Sequence, residues 1–436
     1  MSAAGHRFDP TILREYDIRG IVGETLHADD ARALGRAYAV MLRAEGGRRV
    51  AVGRDGRLSS PMLYFAGHTL GVDGALMVTG SHNPANHNGF KLMMGKRSVY
   101  GADIQRLGQI ASAGDFPSGA GKVEERPVRD AYLARLLQDY RGGRSLRVAW
   151  DSGNGATGEM VELLTAALPG EHFLLNTAID GRFPAHHPDP TEPKNLVQLQ
   201  AAVTEGRRDL GIAFDGDGDR IGVIDGEGRI LWGDQLMVVL AKEVIADRPG
   251  AQIIADVKAS QVLFDEIARM GGKPLMWRTG HSLIKAKMAQ TGAPLAGEMS
   301  GHIFYADRYY GYDDALYAAV RLLGIASRST ATLAQMRRQL PAVVNTPELR
   351  IPCDDTRKFA VIDEVKERLS AAGAQVSVID GVRVKSATGW WLLRASNTQA
   401  VLVARVEAAD HAGLTKLAAE LATQLSASGV TLPPIG

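Results

Sequence analysis

The sequence predicts an α/β fold made of three divergent α/β repeat domains with mixed sheets and a smaller C-terminal α+β domain. Three observations predict it. The chain has 436 residues, too many for one ordinary core. A unit of strand, helix, strand and polar loop recurs three times, and such alternation implies parallel or mixed sheets covered on both faces. After Asn345 the pattern changes to several strands in close succession with a helix at either end.

In order, Phe8 to Val22 mixes charge and glycine and reads as a loop. Asp29 to Ala44 has helical periodicity. Arg49 to Val52 reads as a strand ending at Gly53-Arg54-Asp55. Ser60 and Pro61 read as the N-cap and first position of a helix from Met62 to Leu70. The apolar run Ala75 to Val78 then leads into Thr79-Gly80-Ser81-His82-Asn83-Pro84 and a polar turn, Ala85 to Gly89. The second copy has a strand from Arg147 to Trp150, a helix from Glu159 to Leu168, and a later strand, Leu210 to Phe214, ending in Asp215-Gly216-Asp217-Gly218-Asp219-Arg220. It is expected to be the longer one. The third has a strand from Ile253 to Ala255, a helix from Gln261 to Met270, and a strand, Pro274 to Trp277, ending in Arg278-Thr279-Gly280-His281-Ser282. The last segment has a helix from Lys358 to Ala372, strands at 375–379, 381–385, 389–394 and 400–406, and a closing helix. The region from Pro341 to Pro347 is a candidate hinge.

Composition narrows the function. The formal charge is +1, so no polyanion-binding surface is indicated and no nucleic acid partner is expected. No apolar stretch approaches the ~20 residues of a membrane span. One cysteine, Cys353, allows no internal disulfide, which fits a cytoplasmic setting. No membrane partner is expected.

The chemistry gathers in a few loops. Asp215, Asp217 and Asp219 alternate with glycines, so a tight loop can converge their oxygens on a hard cation, Mg²⁺ or Ca²⁺. An EF-hand would need Gly and Glu where Arg220 and Gly226 stand, so that reading fails. Arg220 beside the site suits a phosphate. Ser81 ends a strand with His82 and Lys91 close by, which suggests an activated hydroxyl, although Ser, Asn and Pro also make ordinary turns. Gly153-Asn154-Gly155-Ala156-Thr157-Gly158 fits a dinucleotide fingerprint, but no acidic residue ends a second strand ~20 residues on, so a tight turn is preferred. Gly297-Glu298-Met299-Ser300-Gly301-His302 offers a carboxylate and a hydroxyl for vicinal sugar hydroxyls and an imidazole for proton transfer. Arg394-Ala395-Ser396-Asn397-Thr398 would cradle a phosphate, with Arg383 on a neighbouring strand adding to it. His186-His187, among prolines, reads as a solvated loop.

TGSHNP, NGFK, DGDGDR, TGHS, GEMSGH and RASNT occur in that order, and the whole chain resembles the α-D-phosphohexomutase superfamily, in its bacterial phosphomannomutase/phosphoglucomutase branch. The resemblance implies four domains around a central cleft, divided at 1–127, 128–229, 230–341 and 342–436. It implies that Ser81 carries a phosphoryl group, that Asp215, Asp217, Asp219 and the serine phosphate hold Mg²⁺, and that Glu298 and Ser300 hold sugar hydroxyls. Arg394, Ser396, Asn397 and Thr398 would hold the non-reacting phosphate. Tyr16, Arg19, His82, Lys91, Arg220, Lys258, His281 and His302 match further cleft positions. The implied reaction moves a phosphoryl group between C1 and C6 of mannose or glucose phosphates through a hexose 1,6-bisphosphate, which also serves as activator. A monomer acting on small hexose phosphates is expected. Phosphoglucosamine mutation fits less well, since Met299 stands where that branch carries glutamine. A nucleotide-dependent oxidoreductase and a non-catalytic, Mg²⁺-dependent sugar-phosphate binder are the alternatives from other classes. Two departures from the family pattern, Ala85-Asn86-His87 and Gln399, bear on substrate preference or rate.

Overall fold

The computed structural model describes residues 5–397 and 399–433. Four sheets follow one another along the chain. The first region contains β1 (Ile18–Ile21), α1 (Ala28–Ala44), β2 (Val50–Arg54), α2 (Ser60–Thr69), β3 (Gly74–Val78), β4 (His87–Met94), β5 (Arg97–Ser98) and α3 (Ala102–Ala113). Its sheet order is β1-β4-β3-β2, with β5 on β4. The segment expected to be a loop therefore contains a strand: Ile18 to Ile21 pairs antiparallel with Phe90 to His87. Alternating burial along IRGI explains this, with the charged Arg19 facing out of the core.

The second region contains α4 (Arg129–Gln138), β6 (Leu146–Asp151), α5 (Gly158–Ala167), β7 (Gly170–Leu175), α6 (Val197–Glu205), β8 (Leu210–Phe214), β9 (Ile221–Asp225) and β10 (Ile230–Leu231), in the order β10-β9-β8-β6-β7. A division after Arg229 would split the β9–β10 hairpin, so this sheet runs through Leu231. The third contains α7 (Gly233–Asp247), β11 (Gln252–Asp256), α8 (Gln261–Arg269), β12 (Lys273–Trp277), α9 (His281–Thr291), β13 (Leu295–Gly297), β14 (Ile303–Tyr305), α10 (Ala315–Arg328) and α11 (Leu333–Arg338), in the order β12-β11-β13-β14.

The pairing gives the true correspondence between repeats. β2, β6 and β11 are the first strands; each pairs in parallel with β3, β8 or β13, which then turns antiparallel into β4, β9 or β14. The Ser81, Asp215 and Glu298 loops all join these last two strands. The Thr279–Ser282 loop, expected as the third copy's equivalent, instead joins β12 to α9. The second and third repeats are alike in their elements; the first is the short one, with nothing among the described residues corresponding to β7 or β12.

The last region contains β15 (Val344–Asn345), β16 (Leu349–Pro352), α12 (Lys358–Ala371), β17 (Val376–Ser377), β18 (Val382–Lys385), β19 (Gly389–Ala395), β20 (Val401–Ala408) and α13 (His411–Ser426). Its antiparallel sheet packs α12 and α13 over a core of its own. A larger core joins the first three regions, with Phe65, Tyr132, Trp150, Phe214 and Tyr305 in one contiguous cluster. This explains why α2 has no polar face: eight of its ten residues are buried between regions. Its cap is Ser59, which accepts from the Met62 amide, and not Ser60.

Candidate active site

The loop between β8 and β9 buries Asp215, Asp217 and Asp219 completely, with ligand atoms close enough to share one ion. Its shape comes from the loop that resembled a dinucleotide fingerprint. There the Ala156 amide donates to the Gly216 carbonyl at 2.8 Å, and a Cβ on Gly155 would stand 2.8 Å from that same oxygen. The glycines serve close backbone approach between two loops. Asp215 Oδ1 accepts from the amides of Gly218, Asp219 and Arg220, which fixes the turn. Burial and the two neighbouring carboxylates push Asp215 well above the ordinary carboxylate range. Asp217 Oδ1 is buried and has no hydrogen-bond partner among the described residues. Three buried carboxylates with such an orphaned oxygen fit a hard divalent cation.

Ser81 sits on this site. Its hydroxyl donates to Asp215 Oδ2 at 3.1 Å and lies 3.2 Å from His82 Nδ1. Its φ of 50° is left-handed, a strained conformation for serine. Burial, together with Arg220 and Arg19, holds His82 well below the ordinary histidine range and so neutral. Lys91, on β4, reaches Asp217 at 2.6 Å and Asp219 at 2.5 Å. Burial opposes its charge, but these carboxylates outweigh it and keep the ammonium protonated.

The Glu298 loop closes the other side. His302 Nδ1 lies 2.8 Å from Ser300 Oγ and 3.0 Å from Glu298 Oε2, and its Nε2 lies 3.2 Å from Asp219. Burial alone would lower its pKa, but Asp219 and Glu298 raise it to about 9. His281 stacks on His302 with ring centroids 5.5 Å apart. Arg220 Nε points at His302 Nε2, 3.5 Å away.

Across the cleft, Tyr16 donates to the Thr279 carbonyl at 2.8 Å and accepts from Asn397, so three regions meet at one hydroxyl. Arg394 bonds Asp380 through Nε at 2.9 Å. Lys258 pairs with Glu348 at 3.0 Å. Arg19 pairs with Asp17 at 2.5 Å. Ser396 Oγ accepts from the Gln399 amide, and Thr398 lies outside the described residues.

Two expectations are corrected. Arg383 does not join the phosphate cradle: it donates to the carbonyls of Val257 and Ala259 and packs on Trp390, tying the fourth region to the third. His186 is not solvated; it bonds the buried Asp151 at 2.8 Å. Sequence reasoning also missed Ser60, whose hydroxyl donates to Asp217 Oδ2 from another region, and Asp380. Asp55 and Asp256 were legible: each ends a first strand, as Asp151 does, and accepts an amide from a site loop.

Fold and site together define a multidomain α/β protein with a carboxylate-lined cation site and a serine at the junction of its sheets. Comparison gives the family. Patterns described as phosphoglucomutase/phosphomannomutase alpha/beta/alpha domains I, II and III match residues 10–66 and 58–116, 130–228, and 232–344, and the C-terminal domain pattern matches 348–424. The chain belongs to the phosphoglucomutase/phosphomannomutase family. It is 43% identical over 441 residues to a phosphomannomutase/phosphoglucomutase of Pseudomonas putida, covering 95% of each chain, and 40% identical over 449 residues to one of Pseudomonas aeruginosa, covering 97% of each. A crystal structure of a phosphoglucomutase/phosphomannomutase family protein from Burkholderia thailandensis superposes with a TM-score of 0.92 at 40% identity, covering 98% of this chain and all of that one. The domain I match comes in two stretches that overlap over 58–66, so α2 answers to two places in the family pattern. The P. putida alignment is longer than this whole chain while taking in only 95% of it, so that relative has residues with no counterpart here. Among the described residues no helix is long and apolar enough to cross a membrane.

Proposed function

We propose that the chain is a phosphomannomutase/phosphoglucomutase, moving a phosphoryl group reversibly between C1 and C6 of hexose phosphates. The observation that carries this reading is the Ser81 hydroxyl, held in a strained turn between a neutral imidazole and a cation site. In this reading Ser81 carries the phosphoryl group, gives it to the free hydroxyl of the sugar phosphate, and recovers the other phosphoryl from the resulting hexose 1,6-bisphosphate. In the first half the proton of the attacking sugar hydroxyl ends on Ser81 Oγ; in the second His82, neutral at Ser81 Oγ, accepts the serine proton as that hydroxyl attacks, and a proton is returned to the sugar oxygen that leaves. Lys91 and His302, both cationic, suit proton donation and stabilisation of charge on the transferring group. Asp215, Asp217 and Asp219 would hold Mg²⁺, which when bound neutralises charge on the phosphoryl oxygens. Glu298 and Ser300 orient sugar hydroxyls; Arg394, Ser396, Asn397 and Thr398 hold the non-reacting phosphate; Tyr16, Arg19, Lys258, Arg220 and His281 line the cleft between.

The relatives named for both sugars support activity on mannose and glucose phosphates. No residue here is assigned to the 2-hydroxyl that distinguishes them, and a site that ignores a hydroxyl discriminates weakly. The test is mass spectrometry of the protein after exposure to glucose 1,6-bisphosphate and Mg²⁺. A phosphate on the peptide containing Ser81 is expected; a phosphate only elsewhere, or none, counts against the reading.

A further inference from the structure

β2 is an edge strand only because the first repeat is short. In the second repeat β7 pairs along the outer edge of β6, and in the third β12 pairs along the outer edge of β11. Those first strands are buried: Val148, Ala149 and Trp150 in β6, and Ile253, Ile254 and Ala255 in β11, are at most 1% exposed. At the matching position β2 pairs, among the described residues, only with β3, and Val52 is 68% exposed and Val50 36%. A β-branched strand with a free row of backbone donors and acceptors is a template for a further strand.

We propose that β2 is an interface, and that its occupant is β2 of a second copy of this chain, paired antiparallel about a two-fold axis at Val52. The five residues of β2 are symmetric about Val52, so this register overlaps the whole strand. Val52 then meets Val52 of the second copy, and Val50 lies against the aliphatic stem of its Arg54. Ala51 faces Gly53 on the side already packed by Leu58 and Leu63 of the α2 segment. Arg49 faces Asp55 just beyond the strand. A slip of one residue in either direction sets Arg49 opposite Arg54, or Arg48 opposite Arg57, and like charges directly opposed are unfavourable. The contact is isologous and closes at two copies, making one sheet across both molecules. It replaces the monomer expected from the sequence. β2 is the last strand of its sheet.

Sedimentation velocity of the full chain over a concentration series tests this, with Val52→Lys and Val52→Glu alongside. The wild type is expected to reach a dimer. Val52→Lys places two ammonium groups on the axis and is expected to sediment as a monomer with unchanged mutase turnover. An equimolar mixture of Val52→Lys and Val52→Glu is expected to recover the dimer through opposite charges. A wild type that stays monomeric throughout overturns the proposal, as does a dimer that Val52→Lys leaves intact or a mixture that does not reassociate.

Discussion

At the residue scale, the cation site depends on neighbours that are not ligands. Ser60 gives its hydroxyl to Asp217 from α2, so a residue of the first region orients a carboxylate of the second. Ser60→Ala removes one charge-assisted hydrogen bond from a wholly buried carboxylate, a loss of about 1.5–3 kcal/mol in such settings. The expected outcome is a lower urea midpoint together with weaker Mn²⁺ binding, read by electron paramagnetic resonance on the metal alone. Unchanged values of both would remove Ser60 from the site. What was legible at this scale was local. Asp215, Asp217 and Asp219 announce themselves because their spacing and glycines lie within five residues. Ser60 did not, because its partner is 157 residues away. Arg383 misled for the same reason: proximity in the sheet suggested the phosphate loop, while its guanidinium turns to carbonyls of another region.

At the scale of elements, the repeats are held together by aromatic packing around α2. His68, in the last turn of α2, lies 5.0 Å from Tyr310 and 5.5 Å from Tyr312 by ring centroids. Burial, with Lys96 and Lys285 nearby, lowers its pKa to about 4. An unfolded histidine titrates near ~6.5. Between those values the unfolded chain binds the extra proton, so stability is full above ~6.5, falls as pH drops toward about 4, and is flat below. His68→Phe should therefore reduce the slope of urea midpoint against pH in that window; an unaltered slope would contradict it. The sequence showed the repeating unit of strand, helix and loop, since periodicity is a local signal. It did not show which loops correspond, because that depends on pairing order within each sheet. β1 was hidden too, since the strand it pairs with, β4, lies far along the chain and Arg19 and Gly20 break its pattern.

At the scale of the molecule, the contacts of the fourth region across the cleft include Asn397 with Tyr16, Asp380 with the Thr279 amide and Glu348 with Lys258. Arg394, fixed by Asp380, is the clamp we propose for the non-reacting phosphate. Binding energy there would align the reacting end. Arg394→Ala is expected to raise KM and lower kcat, each by roughly 10- to 100-fold, and to release more bisphosphate during turnover. Lysine should rescue poorly, lacking the bidentate fork. Wild-type constants would take Arg394 out of the site. Four regions and their order were readable from the motifs; the contact of Tyr16 with Asn397 was not, since they are 381 residues apart.

The central claim is that one serine passes a phosphoryl group between the two ends of a sugar. Phosphorus NMR of the protein with Mg²⁺ and mannose 1-phosphate, primed with a trace of glucose 1,6-bisphosphate, tests it most directly. The account predicts that the 1-phosphate resonance gives way to a 6-phosphate resonance without free phosphate, and that Ser81→Ala abolishes the exchange while sugar phosphate still binds. Exchange at an undiminished rate in Ser81→Ala, or conversion to inorganic phosphate alone, would contradict it.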